Sequence, residues 1–197
     1  MTDIYLCRHG RTSMNVAGLL RGRLDPALDL VGVTEARDLA TQLGGLGLAR
    51  VVSSPLLRAV QTATPIAAAA GLDLETDERW LDRNYAQFDG TAEAEVIAQF
   101  GSLEAAPGVE PAAAVTARAT AALEELVAGD PEDPIVVVSH DAVIRLLLDS
   151  ITPGPQHLDH IQPRTGCWSL LRHSPDGWRL VMANRKDDPV ETALALH

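Results

Sequence analysis

Short apolar runs alternate along the chain with longer segments in which apolar residues recur at every third or fourth position. The short runs have the length of strands and lie at residues 3–7, 50–53, 72–76 and 135–138. The last run, Ile-Val-Val-Val, is β-branched and apolar at each position, which indicates a strand buried on both faces of a sheet. The helical spacing predicts helices over residues 34–46, 55–70, 93–100, 111–128 and 141–151.

The alternation of strands and helices predicts an α/β fold, namely a three-layer α/β/α sandwich around a mainly parallel mixed sheet. Two further apolar segments, 166–172 and 178–182, flank a turn-forming Pro-Asp-Gly sequence. We therefore expect a C-terminal hairpin that adds antiparallel edge strands. The chain has 197 residues and no internal repeat, which favours a single domain over residues 1–197.

The charge of the chain is negative overall but positive at its start. The formal net charge is -11, which argues against a nucleic acid or an anionic membrane as the main partner. Against this background, the first 23 residues carry four arginines and only one acid, Asp3. This local excess favours a pocket for a small anion.

Other bulk features narrow the class of protein. The first residues lack the basic and apolar pattern of a secretory signal, and no apolar run has the length of a membrane helix. We therefore expect a cytoplasmic location. The only two cysteines, Cys7 and Cys167, are too few for a disulfide framework and are interpreted as buried free thiols.

Polar residues with phosphate chemistry follow three of the predicted strands. These sequences are Arg8-His9-Gly10-Arg11-Thr12, with Asn15 after it, Ser53-Ser54-Pro55, with Arg58 after it, and Ser139-His140-Asp141. Because ligands of open α/β sheets bind beyond the carboxyl ends of the strands, we expect two histidines and two arginines to meet at one edge. Arginine forks match phosphate oxygens, a neutral histidine can attack phosphorus, and a protonated one can stabilise the charge that develops. The set predicts a phosphoryl pocket that needs no metal or other cofactor.

The three segments resemble the histidine phosphatase superfamily, in the branch named for phosphoglycerate mutase. The resemblance extends from residue 4 to about residue 182. It implies that His9 becomes phosphorylated and that Arg8, Arg58 and His140 hold the phosphoryl group. Asn15 and Arg21 match further positions of the family's phosphate pocket, although many relatives have glutamine at the position of Arg21.

The family's general acid is usually a glutamate in a Glu-Arg-x-Tyr-Gly segment. The matching segment here is Asp82-Arg83-Asn84-Tyr85-Ala86. Asp82 would protonate the leaving oxygen and then deprotonate the attacking water, but it is one methylene shorter than glutamate, and Ala86 replaces the glycine. Asp141 is the alternative acid, because another branch of the superfamily uses a His-Asp pair; a simpler interpretation is that Asp141 stabilises a helix N-terminus. The mutase-like first motif favours Asp82.

These implications favour a phosphatase, a phosphomonoesterase that acts on a small phosphorylated metabolite through phosphohistidine. A phosphoglycerate mutase is the first alternative, but the mutases resembled here carry an insertion rich in lysine and arginine, and residues 90–111 contain neither. A non-catalytic phosphate-binding domain is the second alternative. Residues 77–112 are interpreted as the insertion or lid that selects the substrate, and a homodimer is expected from the resemblance.

Two remaining features receive simpler interpretations. His157 and His160 lie three residues apart, but without a third ligand at a useful spacing they are not expected to hold a metal. Arg145 falls one turn into the last predicted helix and is interpreted as a structural residue that pairs with a nearby acid.

Overall fold

Six strands form one mixed sheet in the computed structural model, which describes residues 1–129, 131–151 and 162–186. In spatial order the sheet is β3-β2-β4-β1-β5-β6. The strands are β1 (Thr2–Arg8), β2 (Arg50–Ser53), β3 (Leu74–Thr76), β4 (Ile135–Ser139), β5 (Trp168–Ser174) and β6 (Gly177–Arg185). Strands β3, β2, β4 and β1 are parallel to one another, and the β5–β6 hairpin continues the sheet in antiparallel pairing.

Helices cover both faces of this sheet, which confirms the predicted fold class. They are α1 (Ser13–Val16), α2 (Leu30–Leu43), α3 (Leu57–Ala70), α4 (Glu93–Phe100), α5 (Ala112–Val127) and α6 (Asp141–Ile151). One apolar cluster joins the sheet to α5 and α6, and a second joins its other face to α2 and α3. Strand β4 contributes Ile135 and Val137 to the first cluster and Val136 and Val138 to the second. The prediction that this strand is buried on both faces is confirmed.

The boundaries of two helices differ from the predicted ones. Helix α2 begins at Leu30, four residues before the predicted start, because the Asp29 side chain accepts a hydrogen bond from the Gly32 amide and caps the helix. Helix α3 begins at Leu57, so Pro55 precedes the helix instead of lying in its first turn. This helix then continues through Pro65 and ends where Gly71 adopts the left-handed conformation.

The segment 77–112 has a small apolar core of its own. It contains two short 3₁₀ turns, Glu78–Trp80 and Ala86–Phe88, as well as helix α4. Tyr85, Val96 and other apolar side chains of this segment cluster around Leu20 of the first loop, and we call this group the satellite cluster. The segment is therefore attached to the loop that follows β1.

The remaining expectations have different outcomes. Cys7 and Cys167 are both buried and free, as predicted. Among the described residues, none of the helices combines the length and the apolar character needed to cross a lipid bilayer. His157 and His160 lie outside the described residues, and within the described ranges no cluster of three or more His, Cys, Asp or Glu side chains could hold a metal ion.

Candidate active site

The carboxyl ends of three neighbouring parallel strands bring the predicted site residues together. His9 follows β1, His140 follows β4, and Arg58 lies in the first turn of α3 after β2. All three side chains are fully buried. The two imidazole rings are 5.2 Å apart between centroids, and their planes are tilted by 55°. The expected convergence of two histidines and an arginine at one sheet edge is present.

The hydrogen bonds of His9 define which ring nitrogen is free. Its Nδ1 lies 2.7 Å from the Gly10 carbonyl oxygen. Because a carbonyl oxygen only accepts hydrogen bonds, Nδ1 carries the hydrogen and the lone pair resides on Nε2. Nε2 is buried and has no hydrogen-bond partner among the described residues. Burial, followed by the positive charges of Arg58 and Arg8, lowers the pKa of His9 well below its ordinary value of 6.5. The ring is therefore neutral, and its Nε2 lone pair is available for nucleophilic attack.

Contacts with α2 and α3 hold the loop that carries His9. The Gly10 amide donates to the Thr62 hydroxyl at 2.9 Å, and the Arg11 amide donates to the Glu35 carboxylate at 2.8 Å. A Cβ atom at Gly10 would lie 2.5 Å from the Gly32 carbonyl oxygen, so only glycine fits here. Thr62 and Glu35 were not identified from the sequence; their only signal is a polar side chain on the buried face of a helix.

Arg58 is held by backbone carbonyls and by one carboxylate. Its Nη1 donates to the Leu24 carbonyl at 2.7 Å, and its Nη2 donates to the Gly22 carbonyl at 3.2 Å. Nη2 also lies 3.0 Å from the Asp82 Oδ2 atom. These contacts fix the guanidinium beside His9 and His140, where a phosphoryl group would need it.

His140 faces Ser54 on one side and Asp82 on the other. Its Nε2 lies 2.8 Å from the Ser54 hydroxyl, and its Nδ1 lies 3.8 Å from the Asp82 Oδ2 atom. Burial, and then the positive charge of Arg58, lowers the pKa of His140 well below 6.5. The imidazole is therefore neutral in this environment, and charge stabilisation by His140 requires proton uptake when an anion binds.

The two candidate acids occupy different places. The side chain of Asp82 is buried, and its two oxygens contact the Arg83 amide and the Arg58 guanidinium. The side chain of Asp141 is one-third exposed at the start of α6, and its Oδ1 lies 3.5 Å from Arg8 Nη1. Asp82 thus belongs to the buried group around the histidines, whereas Asp141 lies at its rim.

A cavity of about 190 Å³ adjoins this buried group at Asp82. Its lining residues are Arg8, Asn15, Gly18, Leu19, Leu20, Arg21, Asp82, Tyr85, Glu93, Asp141, Ala142 and Arg145. Arg21 is oriented by its bond to the Leu19 carbonyl at 2.9 Å, and Asn15 Oδ1 accepts from the Thr12 amide and hydroxyl, which leaves its amide nitrogen as a donor. Arg8 donates to the Pro163 carbonyl. Every residue predicted for the site therefore lies in the buried group or in the cavity wall.

Comparison with known proteins identifies the family. The model of the histidine phosphatase superfamily (branch 1) matches residues 4–186. The chain belongs to this superfamily. A glucosyl-3-phosphoglycerate phosphatase of Mycobacterium tuberculosis is 33% identical over 169 residues, which cover 77% of this chain and 76% of that protein. A probable phosphoglycerate mutase of Proteus mirabilis is 30% identical over 98% of both chains.

Solved structures of the superfamily have the same fold. A mycobacterial glucosyl-3-phosphoglycerate phosphatase in complex with VO3 superposes with a TM-score of 0.83 at 28% identity, over 92% of this chain and 98% of that chain. The recognition of the family and the phosphoglycerate mutase-like fold are confirmed. Since its relatives include phosphatases, this histidine phosphatase is an enzyme of the hydrolase class, as expected.

The departure of this histidine phosphatase from the family's acid segment has a visible consequence. Ala86, which replaces the usual glycine, has φ = 54°. This is the left-handed region, which alanine adopts only at a cost in free energy. The backbone therefore keeps the conformation that glycine favours, and Asp82 remains beside Arg58 despite the substitution.

Arg145 is the cavity residue whose interpretation from the sequence needs correction. It was expected to pair with a nearby acid. In the described part of the chain it forms neither a salt bridge nor a hydrogen bond, and its partly buried side chain lines the cavity instead. Its only sequence signal is its position one turn after Asp141, which places both residues on one face of α6.

Proposed function

We propose that this histidine phosphatase hydrolyses a small phosphomonoester through a phosphohistidine formed on His9. The observation that carries this proposal is the state of His9 Nε2, which is unprotonated, buried and unpartnered among the described residues beside Arg58. A nucleophile in this state has no competing hydrogen bond to break before it attacks phosphorus. The small cavity supports a small substrate, because drug-sized ligands occupy pockets of roughly 300–1,000 Å³.

The first chemical step transfers the phosphoryl group to the enzyme. His9 Nε2 forms a bond to phosphorus, the ester P–O bond breaks, and the leaving oxygen takes a proton from Asp82. Arg58, Arg8 and His140 stabilise the oxygens of the transferred group. The phosphoryl oxygens compete with Asp82 for the Arg58 guanidinium, which releases the Asp82 carboxyl group towards the leaving oxygen.

The second step regenerates the enzyme. Asp82, now ionised, takes a proton from water while the water oxygen attacks phosphorus. The N–P bond to His9 then breaks, and inorganic phosphate leaves with the oxygen of that water. Burial of Asp82 beside His140 and Arg58 supports this role over Asp141, whose carboxylate lies at the rim against Arg8.

A phosphoglycerate mutase is less well supported. A mutase must hold a second phosphate, which requires cations opposite the nucleophile. Within residues 77–112 the side chains that face the cavity are Asp82, Tyr85 and Glu93, and none of them is cationic. Glu93 would repel a second phosphate. The cytoplasmic location and the homodimer stay predictions.

Turnover of 4-nitrophenyl phosphate, assayed with and without a chelator, tests the proposed function. The wild-type protein should release phosphate in both conditions and be inhibited by vanadate. His9→Ala should lower kcat by about a thousandfold or more, since the nucleophile is lost. His173→Ala is the matched control, because His173 stacks on Trp178 in the β5–β6 hairpin, away from the site; it should retain full activity. Equal activity of the two variants would refute the assignment of the nucleophile.

Two further variants distinguish the acids in the same assay. Asp82→Asn should release one burst of 4-nitrophenol and then stall with an acid-labile phosphoenzyme, because nothing deprotonates the attacking water. Asp141→Asn should continue to turn over. The opposite pattern would assign the acid to Asp141, and no acid-labile phosphate in either variant would contradict the phosphohistidine.

A further inference from the structure

The guanidinium of Arg58 depends for its position on a turn in the loop that follows β1. Its two terminal nitrogens donate to the carbonyls of Gly22 and Leu24, at 3.2 Å and 2.7 Å. The turn is closed by the Leu24 amide, which donates to the Arg21 carbonyl at 2.8 Å. The remaining partner of the guanidinium in the described part of the chain is Asp82, which the proposed chemistry releases. The carbonyls of this turn must therefore hold Arg58 during the reaction.

Asp89 holds the same turn from the segment 77–112. Its Oδ2 atom accepts a hydrogen bond from the Arg23 amide at 2.9 Å. This amide and the Gly22 carbonyl belong to one peptide group, and in a planar trans peptide the N–H and the C=O point in opposite directions. The peptide is thus bound on one side by Asp89 and on the other side by Arg58, so the carboxylate determines where the carbonyl points.

The local backbone is built for this approach of Asp89. Gly22 has φ = 43°, and a Cβ atom at this position would lie only 2.0 Å from the Asp89 Oδ1 atom. Two backbone hydrogen bonds of 2.8 Å tie the two segments together beside Asp89, from the Gly90 amide to the Leu20 carbonyl and from the Leu20 amide to the Thr91 carbonyl. The carboxylate is therefore held against the turn by its own segment.

We propose that Asp89 is a positioning residue for phosphoryl binding, which holds Arg58 through the peptide between Gly22 and Arg23. This inference rests on the proposed function and adds a residue to its site. A hydrogen bond to the carboxylate polarises the peptide, which makes its carbonyl a stronger acceptor for the guanidinium. Asp89 lies outside the cavity wall formed by the described residues, so it acts through Arg58 and not on the substrate.

Substitutions of Asp89 test this role with 4-nitrophenyl phosphate as substrate and vanadate as inhibitor. Asp89→Ala removes the acceptor, so kcat/KM should fall about tenfold to hundredfold, and the inhibition constant of vanadate should rise in parallel. Asp89→Asn keeps an oxygen acceptor and should recover most of both. Asp73→Ala is the matched control, since it removes an exposed carboxylate at the amino end of β3, and it should behave like the wild-type protein.

A double-mutant cycle shows whether the effect passes through Arg58. Lysine cannot bind both carbonyls with a planar fork. In an Arg58→Lys background, Asp89→Ala should therefore change kcat/KM by no more than about twofold, which is the usual error of additivity. The same large loss in both backgrounds would overturn the proposal, as would an unchanged kcat/KM and vanadate inhibition in Asp89→Ala.

Two further measurements separate this proposal from failures of other kinds. If thermal unfolding shows that Asp89→Ala is not folded, Gly22→Ala replaces it, because the added Cβ displaces the Asp89 side chain; an unchanged kcat/KM in Gly22→Ala would overturn the proposal. If the wild-type protein does not hydrolyse 4-nitrophenyl phosphate, the proposed function fails. Calorimetric binding of vanadate still tests Asp89 in that case, and equal affinities of the wild-type protein and Asp89→Ala would overturn its role.

Discussion

At the scale of single residues, the site depends on atoms whose state the neighbours determine. The Gly10 carbonyl fixes the tautomer of His9, and the Ser54 hydroxyl occupies Nε2 of His140. The two rings therefore leave different nitrogens without a hydrogen-bond partner among the described residues, Nε2 of His9 and Nδ1 of His140. This difference explains how two similar side chains can serve as nucleophile and as oxyanion ligand.

The buried histidines should make stability dependent on pH. Both have pKa values well below the ordinary 6.5, so between pH 6.5 and 5.5 the unfolded state takes up protons that the folded state does not. Stability must then fall as the pH falls, by about 1 kcal/mol per histidine over that unit. Urea unfolding at the two pH values measures this loss.

The variant His9→Gln should remove about half of this loss, because glutamine does not titrate. A pH dependence that is the same in the wild-type protein and in His9→Gln would contradict the burial of a neutral His9.

The strained residue at position 86 gives a second prediction at this scale. Ala86→Gly should raise the free energy of unfolding by about 1 kcal/mol, because glycine adopts positive φ without the steric cost that alanine meets. Ala121→Gly is the control, since Ala121 is an exposed residue within α5. This variant should lower the free energy of unfolding by about 1 kcal/mol, because glycine is less favourable than alanine inside a helix. Chemical denaturation measures the free energy of unfolding of both variants. A lower value for Ala86→Gly than for the wild-type protein would contradict the claim that the Ala86 backbone is strained.

At the scale of elements, α3 contributes more than Arg58 to the site. Thr62, one turn after Arg58, accepts from the Gly10 amide and donates to the Arg58 carbonyl at 2.7 Å. The helix thereby connects the loop that carries the nucleophile to the residue that holds the phosphoryl group. A buried amide without a partner costs about 1–3 kcal/mol, so the loop should move when this acceptor is lost.

Thr62→Val tests this connection, because valine keeps the shape and removes the acceptor. We expect kcat for 4-nitrophenyl phosphate to fall about tenfold or more, and Thr62→Ser, which keeps the hydroxyl, to recover most of it. Thr64→Val is the control on the same helix, since the exposed Thr64 hydroxyl bonds only to the Val60 carbonyl among the described residues. Equal losses of kcat in Thr62→Val and Thr64→Val would show that the effect does not depend on the hydrogen bond between Thr62 and Gly10.

At the scale of the whole molecule, the apolar cluster that adjoins the cavity is separate from the two that cover the sheet. Two large clusters pack on the two faces of the sheet, whereas the satellite cluster packs under residues 77–112. Leu20 and Tyr85 belong to the satellite cluster and also line the cavity. Packing in this cluster should therefore affect substrate binding more than global stability.

Two valine truncations separate these contributions. Val137→Ala, in a large cluster, should cost about 2 kcal/mol of unfolding free energy and leave KM unchanged. Val96→Ala, in the satellite cluster, should cost less but raise KM, because Leu20 and Tyr85 lose support. Denaturation and steady-state kinetics on both variants check these expectations. A KM that rises in Val137→Ala but not in Val96→Ala would contradict the link between the satellite cluster and substrate binding.

The sequence by itself determined the features that depend on local patterns. Periodicity placed the strands and most helices, since burial of one face repeats at fixed spacing. The three motifs placed His9, Arg58 and His140 at one edge, because the carboxyl ends of neighbouring parallel strands coincide. Even where the boundary of α2 was wrong, the face that it buries was correct.

Only the tertiary structure decided the features that depend on distant neighbours. The sequence favoured Asp82 over Asp141 only through the likeness of the first motif, whereas the structure buries Asp82 beside Arg58 and leaves Asp141 partly exposed beside Arg8. Thr62 meets Gly10 across 52 positions, and the Arg145 side chain lines the cavity without an ion pair to any of the described residues. Such contacts form only when whole elements pack together. The spacing of residues within one element therefore does not predict them.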